Sequence, residues 1–311
     1  MHRSKLFSFA VERGRTAVRE VTVFQNFPTV ISRTLFHSTP IECKFRNGGK
    51  MTLSDSVQVY HVSRYALKGW RYNPDTDTVE IPETPSRRKL VFEGAGREGD
   101  LIGVFGGEYS ELDVQGRVVL DIGASIGDSA LYFATQGAKL VHALEPFPIP
   151  YERACRNVER NGLTDVVRPH QIVCSGTSGT QFIDPNRVGT IRTAAKQCPG
   201  GIPVPSRTLA DLVRILEIPE GSVLKVDCEG GEYSIFRMCN HETLLKFDQV
   251  QIEYHYGVKD LVGIFAAAGY AVQATGPRFS VSTLKEPAME AGMIKARHVP
   301  IQEPERHSSG N

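Results

Sequence analysis

From about residue 115 onward, short apolar runs alternate with amphipathic segments of helical period, and few folds admit that alternation. Neighbouring strands that run parallel need a long crossover, and a helix is the usual one. The apolar runs are RVVLDIG, KLVHALEP, VRPHQIVC, SVLKVDCEG and FDQVQIEYH. Between them one helix is expected from near Asp128 to Gly137. A second shows Tyr151, Ala154, Cys155 and Val158 on one face and stops at Gly162. A third shows Leu209, Leu212, Val213 and Leu216. After Leu261 to Gly269 come a strand from Tyr270, a loop and a final strand from Met293 to Val299, with no helix between them, so this last pair is expected to be antiparallel. The pattern predicts an α/β fold with a mostly parallel sheet wrapped by helices.

Residues 1–100 read differently, as a helical and β-hairpin extension or cap in front of a domain over 101–300, with a flexible tail at 301–311. IECKF, Asn47-Gly48-Gly49 and KMTL predict a hairpin, because Asn-Gly supplies the positive φ angles of a tight primed turn. A second hairpin is expected around Tyr72 to Val79, where Asn73-Pro74-Asp75 marks the turn. The start is basic (Arg3, Lys5, Arg13, Arg15, Arg19, Arg33, Lys44, Arg46 against Glu12, Glu20, Glu42), as in a transit peptide or in a solvated helical extension. The whole chain is balanced, with 36 basic against 35 acidic side chains, which gives no global nucleic-acid signature. No nucleic-acid partner and no membrane span are expected, and oligomeric state is not legible. Six cysteines without C-x-x-C spacing suggest reduced thiols, and a cytoplasmic location is expected.

VVLDIGASIGDSALYF contains a literal G-x-S-x-G from Gly123 to Gly127. Ser125, Asp227 and His255 occur in the chain order of an α/β-hydrolase triad, so a serine esterase is one reading. Three residues oppose it. Asp121 precedes the turn, Asp128 follows the second glycine where a small residue would pack, and Glu145 ends the next strand about 24 residues after Asp121, where doubly wound folds put a carboxylate on a ribose. Asp128 in the first helical turn also disfavours a phosphate. A cationic, ribose-bearing ligand without phosphate fits, and S-adenosylmethionine is one. Glu145 would accept from both ribose hydroxyls, while Asp121, Gly123 and the loop backbone would surround the methionine end.

VVLDIGASIGDSALYFA followed by VHALEP resembles motif I and the acidic post-motif of class I S-adenosylmethionine-dependent methyltransferases. Leu224 to Glu232, L-K-V-D-C-E-G-G-E, is similar to the L-K-[IV]-D-x-E-G-x-E signature of the FkbM family, with VPSRTLADLV before it and GMIKARH resembling its closing strand. Ser125 stands where that family more often has Asn. The resemblance, over roughly residues 100–300, implies a Rossmann-like, doubly wound, mostly parallel seven-stranded sheet with an antiparallel last strand. It also implies S-adenosylmethionine as cofactor and methyl transfer to a hydroxyl on a sugar, glycan or other small metabolite. The expected cofactor residues are Asp121, Gly123, Ala124, Ser125, Gly127, Asp128, Ser129, Glu145, Pro146 and Ser175.

Chemistry is expected at the carboxyl ends of the strands. Asp227 and Glu229 on the fourth strand and Glu253 and His255 on the fifth each have i, i+2 spacing, which puts both members of a pair on one side of an extended strand. His255 is the favoured general base because its ordinary pKa lies nearest neutrality, with Glu253 or Asp227 orienting it. The same four residues could instead hold a divalent cation, but their spacing is not specific and no metal is assigned. A protein that binds S-adenosylmethionine without turnover is the remaining class.

Overall fold

The computed structural model describes residues 18–185, 198, 200–279 and 290–299; most of the basic start, residues 1–17, and the expected tail at 301–311 lie outside them. In the N-terminal region the helix Phe27–Leu35 has its proline in the first turn, where the missing N–H costs nothing. Strands β1 (Ile41–Lys44) and β2 (Lys50–Leu53) pair antiparallel as the expected hairpin. Their connection is a longer loop than a tight primed turn: the Phe45 N–H donates to the Gly49 carbonyl, and within it Gly48 alone has a positive φ, 94°. The helix Ser56–Leu67 is capped by Asp55, whose carboxylate accepts from the Val57 and Gln58 N–H groups. Strands β3 (Arg71–Asn73) and β4 (Thr78–Ile81) form the second expected hairpin, and β5 (Leu90–Glu93) adds a third strand to it.

The main sheet takes in β6 (Val118–Ile122), β7 (Leu140–Leu144), β8 (Val167–His170), β12 (Ser222–Val226), β13 (Phe247–Tyr254), β14 (Tyr270–Ala274) and β16 (Glu290–His298). Their spatial order is β8-β7-β6-β12-β13-β16-β14, and a short strand β15 (Arg278–Phe279) pairs with the start of β16. The pairs from β8 to β13 are parallel, and β16 runs antiparallel to both β13 and β14. This is the predicted architecture, and the antiparallel last strand lies inside the sheet, between β13 and β14. The run VRPHQIVC splits: β8 belongs to the main sheet, while β9 (Val173–Cys174) joins β10 (Gly179–Ile183) and β11 (Ile202–Arg207) in a separate small sheet. The crossover helices Asp128–Thr135, Pro148–Arg160 and Leu209–Ile215 stand where the periodicity put them.

Alternation along the strands sorts the core into two faces. Val118, Leu120, Ile122, Leu224, Val250, Ile252 and Tyr254 pack with Leu212, Phe236 and Phe265 on one side. Val119, Val141, Ala143 and Val223 face the other, whose core is continuous with Phe24, Val59, Tyr65, Val79 and Phe92 of the N-terminal region. By the same period of two, Asp121, Lys225, Gln251 and Glu253 lie on that second face. Gln251 spends its amide on the Glu108 carbonyl, in the segment Val104–Glu108 that covers this part of the sheet.

Candidate active site

The glycine loop joins β6 to the helix Asp128–Thr135, and the backbone fixes its shape. Gly123 and Ala124 both donate to the Leu144 carbonyl at the end of β7. Gly123 has φ 82°, and a Cβ there would lie 1.7 Å from the Asp227 carbonyl oxygen, so the loop is pressed against the end of β12. Ser125 takes φ 46° and Gly127, the helix N-cap, φ 83°. Ala124, Gly127, Asp128 and Ser129 are buried beneath the loop; Gly123, Ser125 and Pro146 are partly exposed.

Glu145 lies just past β7 and is buried. Its Oε2 accepts from the Ser125 N–H at 3.0 Å and its Oε1 from the Phe147 N–H at 2.9 Å. Each oxygen keeps one further acceptor position, which is what a vicinal diol needs. Burial pushes the Glu145 carboxyl up to about 8, against the pull of its two backbone hydrogen bonds. Asp128 is likewise raised by burial, to about 6, and its Oδ2 accepts from the Asp100 N–H.

Asp121 is placed differently from its expected role at the methionine end. It is wholly buried and spent on Lys225, whose Nζ lies 2.9 Å away, and on the Ser129 hydroxyl at 2.6 Å. The register of β6 against β12 puts these two residues opposite each other. Lys225 also donates to the Gly123 carbonyl at 2.8 Å, so the ion pair supports the loop from below. Burial opposes the charge on Lys225, but Asp121 and Asp227 outweigh it and hold the ammonium above its usual range. Ser175 is committed elsewhere, to the Thr177 carbonyl and the Ser206 hydroxyl.

Asp227, Glu229, Glu253 and His255 do gather on one side of this loop, by a route that differs from the expected one. β12 ends at Val226, so Asp227 and Glu229 lie in the following turn, where Glu229 has φ 56° and the extended i, i+2 argument does not apply. His255 Nε2 faces Asp227 Oδ1 at 3.6 Å and Glu229 Oε2 at 3.3 Å. On its other side Nδ1 meets Glu232 Oε1 at 3.2 Å, and the same oxygen accepts the His255 backbone N–H. Burial would lower the imidazolium, yet the Glu232 hydrogen bond and the Asp227 and Glu229 charges win and raise it to about 10. Facing these carboxylates, His255 keeps its proton to higher pH than a free imidazole does, which makes it a weaker proton acceptor near neutrality than its ordinary pKa suggests. Neither ring nitrogen hydrogen-bonds Ser125 among the described residues, and the triad order Ser125, Asp227, His255 is not realised as a triad.

Three more groups belong here that motif reading passed over. Glu232 is fully buried and positions His255. Lys225 was detectable as a charge inside an otherwise apolar strand. Glu108, in the stretch GVFGGEY, is raised to about 7 by burial and by Asp227. Glu253 is raised to about 8 by burial, then by Asp227. The site is thus crowded with carboxylates around one histidine, and it lies against the glycine loop because the Asp227 N–H donates to the Ile122 carbonyl at 2.9 Å.

The family model described as methyltransferase FkbM domain matches residues 121–272. A hexuronic acid methyltransferase, AglP, of Haloferax volcanii is 29% identical over 181 residues, which cover 57% of this chain and 72% of that protein. Among solved structures, M. capricolum TrmK in complex with S-adenosyl-homocysteine aligns at TM-score 0.39 and 15% identity, over 63% of this chain and 66% of that one. The METTL16 methyltransferase domain aligns at TM-score 0.40 and 14% identity, over 83% and 86%.

Proposed function

We propose that this chain, whose residues 121–272 match the family described as methyltransferase FkbM domain, moves a methyl group from S-adenosylmethionine to a hydroxyl of a sugar acid or related glycan. The observation that carries the reading is the pairing of two half-sites across one backbone contact. On one side Glu145, buried and still able to accept twice, stands beside the glycine loop. On the other, the acidic pocket around His255 begins at Asp227, whose carbonyl leaves Gly123 no room for a side chain.

The fit to the cofactor is good at the ribose end. Glu145 accepts the ribose hydroxyls, the loop backbone from Gly123 to Gly127 lines the approach, and Asp128 at the helix start disfavours a phosphate-bearing ligand in its place. At the other end Lys225 neutralises Asp121, so that pair shapes the loop and leaves the ammonium group to other acceptors. When bound, S-adenosylmethionine supplies a methyl carbon on a sulfonium, open to attack by an oxygen in line with the departing sulfur. The chain must align the acceptor oxygen and relieve it of its proton. Asp227, Glu229 and Glu253 line the place where that hydroxyl arrives, and His255 Nε2 faces both Asp227 and Glu229.

The hexuronic acid methyltransferase relative supports a sugar acid as the class of acceptor. Calorimetry with S-adenosylmethionine, followed by transfer of a labelled methyl group to hexuronate-containing glycosides, tests the reading. Cofactor binding that Glu145→Ala abolishes is the expected result. Covalent capture of Ser125 by an activated ester, with no cofactor binding, would sink it.

A further inference from the structure

We propose that Asp227, Glu229 and His255 form a site for a divalent first-row cation that also takes up the acceptor hydroxyl, an inference that rests on the methyl-transfer reading. One ligand atom from each of the three lies within 4.8 Å of the others. A ring N–H to carboxylate hydrogen bond spans about 2.7–3.2 Å. His255 Nε2 stands farther than that from both oxygens, 3.3 Å from Glu229 and 3.6 Å from Asp227. Ligand atoms each about 2.0–2.2 Å from a common ion are spaced roughly 3 to 3.6 Å apart, and the two distances from His255 Nε2 fall in that range.

The histidine is also oriented as a ligand would be. Its side chain is 3% exposed, so Nε2 is aimed into the recess between the two carboxylates and not at bulk water. Nδ1 is fixed by Glu232, itself 0% exposed. A ligating histidine characteristically gives its other ring N–H to a buried carboxylate, which fixes the ring; an ion entering between the two carboxylates displaces the Nε2 proton and takes that lone pair. Glu232 is held in turn by the Gly230 N–H at 2.8 Å and the His255 N–H at 3.0 Å. Asp227 and Glu229 are 29% and 24% exposed, so the site is open on one side and leaves coordination positions for an incoming oxygen and for water. One imidazole and two carboxylates suit Mn2+, Fe2+ or Zn2+ better than a soft ion.

The site abuts the glycine loop through the Asp227 backbone, within reach of a methyl donor seated there. The acceptor hydroxyl, held at the ion, passes its proton to water. Its oxygen forms a bond to the methyl carbon while the carbon–sulfur bond breaks, the electron pair staying on sulfur, to give a methyl ether and S-adenosylhomocysteine.

Full-length protein, treated with chelator and dialysed, is titrated with MnCl2 and followed by electron paramagnetic resonance of free Mn2+ and by calorimetry. A single ion per chain is expected, together with methyl transfer that chelation removes and Mn2+ restores. Glu229→Gln, at a partly exposed position, is expected to keep its melting temperature and to weaken Mn2+ binding about tenfold or more; His255→Gln is expected to weaken it in the same direction. Wild-type protein that takes up no Mn2+ at millimolar concentration, or Glu229→Gln that binds as wild type does, overturns the site. S-adenosylmethionine binding to the metal-free protein is measured in parallel, and its failure would count against the methyl-transfer reading instead.

Discussion

Glu145 has both carboxylate oxygens engaged by backbone N–H groups, so its protonation state decides what more it can accept. The free protein holds it at about 8, and the two ribose hydroxyls proposed to bind there would favour the ionised form. A ligand that prefers the ionised form binds most tightly above the free group's pKa and loses affinity as pH falls below it. S-adenosylmethionine affinity is therefore expected to rise between pH 6 and pH 8, by up to about tenfold per unit, and to flatten above. Glu145→Gln is expected to bind weakly with no such slope, and calorimetry across that range checks both. Ser125 contributes through its backbone, so Ser125→Asn, which tolerates positive φ, is expected to keep activity within about threefold. A turnover assay that finds Ser125→Asn dead would reinstate a chemical role for the hydroxyl. The placement of Glu145 beside the glycine loop was legible in the letters. A carboxylate one strand beyond a glycine turn has one common use, and Glu145 stood at that spacing. Glu232 was not legible, because nothing in E-G-G-E tells which acid turns inward; that depends on the turn after β12 folding back toward β13.

Among elements, β12 is the informative one. All of its residues are buried, yet it carries Lys225 opposite Asp121 on β6. Removing one partner of a buried ion pair leaves a charge with no compensation and costs about 3–5 kcal/mol. Lys225→Met is expected to lose stability of that order in urea denaturation, and Asp121→Asn combined with it is expected to recover part of the loss. A single Lys225→Met variant as stable as wild type would mean that the pair holds nothing together. Sequence periodicity found β12 and each of its neighbours because runs buried on both faces are distinctive. It found neither the small sheet of β9 to β11 nor the true turn after β12. The first is built from short, half-exposed strands with Pro203 and Pro205 in β11, and the second depends on left-handed residues that no periodicity encodes.

At the scale of the whole molecule, the boundary that composition suggests near residue 100 is not a boundary in the core. Apolar side chains from the N-terminal region and from the first two strands of the main sheet form one continuous cluster. Polar contacts reinforce it: β5 presents an open edge, and two asparagines close it, Asn157 in the helix Pro148–Arg160 and Asn161 at its C-cap. Asn157 accepts from the Glu93 N–H and donates to the Glu93 and Ile126 carbonyls, while Asn161 accepts from the Val91 N–H and donates to the Val91 carbonyl. A side chain here does the work of a neighbouring strand, so its loss leaves buried backbone groups unsatisfied, at about 1–3 kcal/mol for such a group. Because the cluster is shared, that cost falls on the molecule as one unit and not on a detachable cap. Asn157→Ala is therefore expected to shift a single calorimetric transition downward by a few degrees, roughly 1.5 °C for each kcal/mol in a chain of this length. Two separated transitions, with only the lower one moved by the substitution, would mean that the N-terminal region folds on its own account, and the cap could then be exchanged without disturbing the cofactor loop that Ile126 and Asn157 now tie to it.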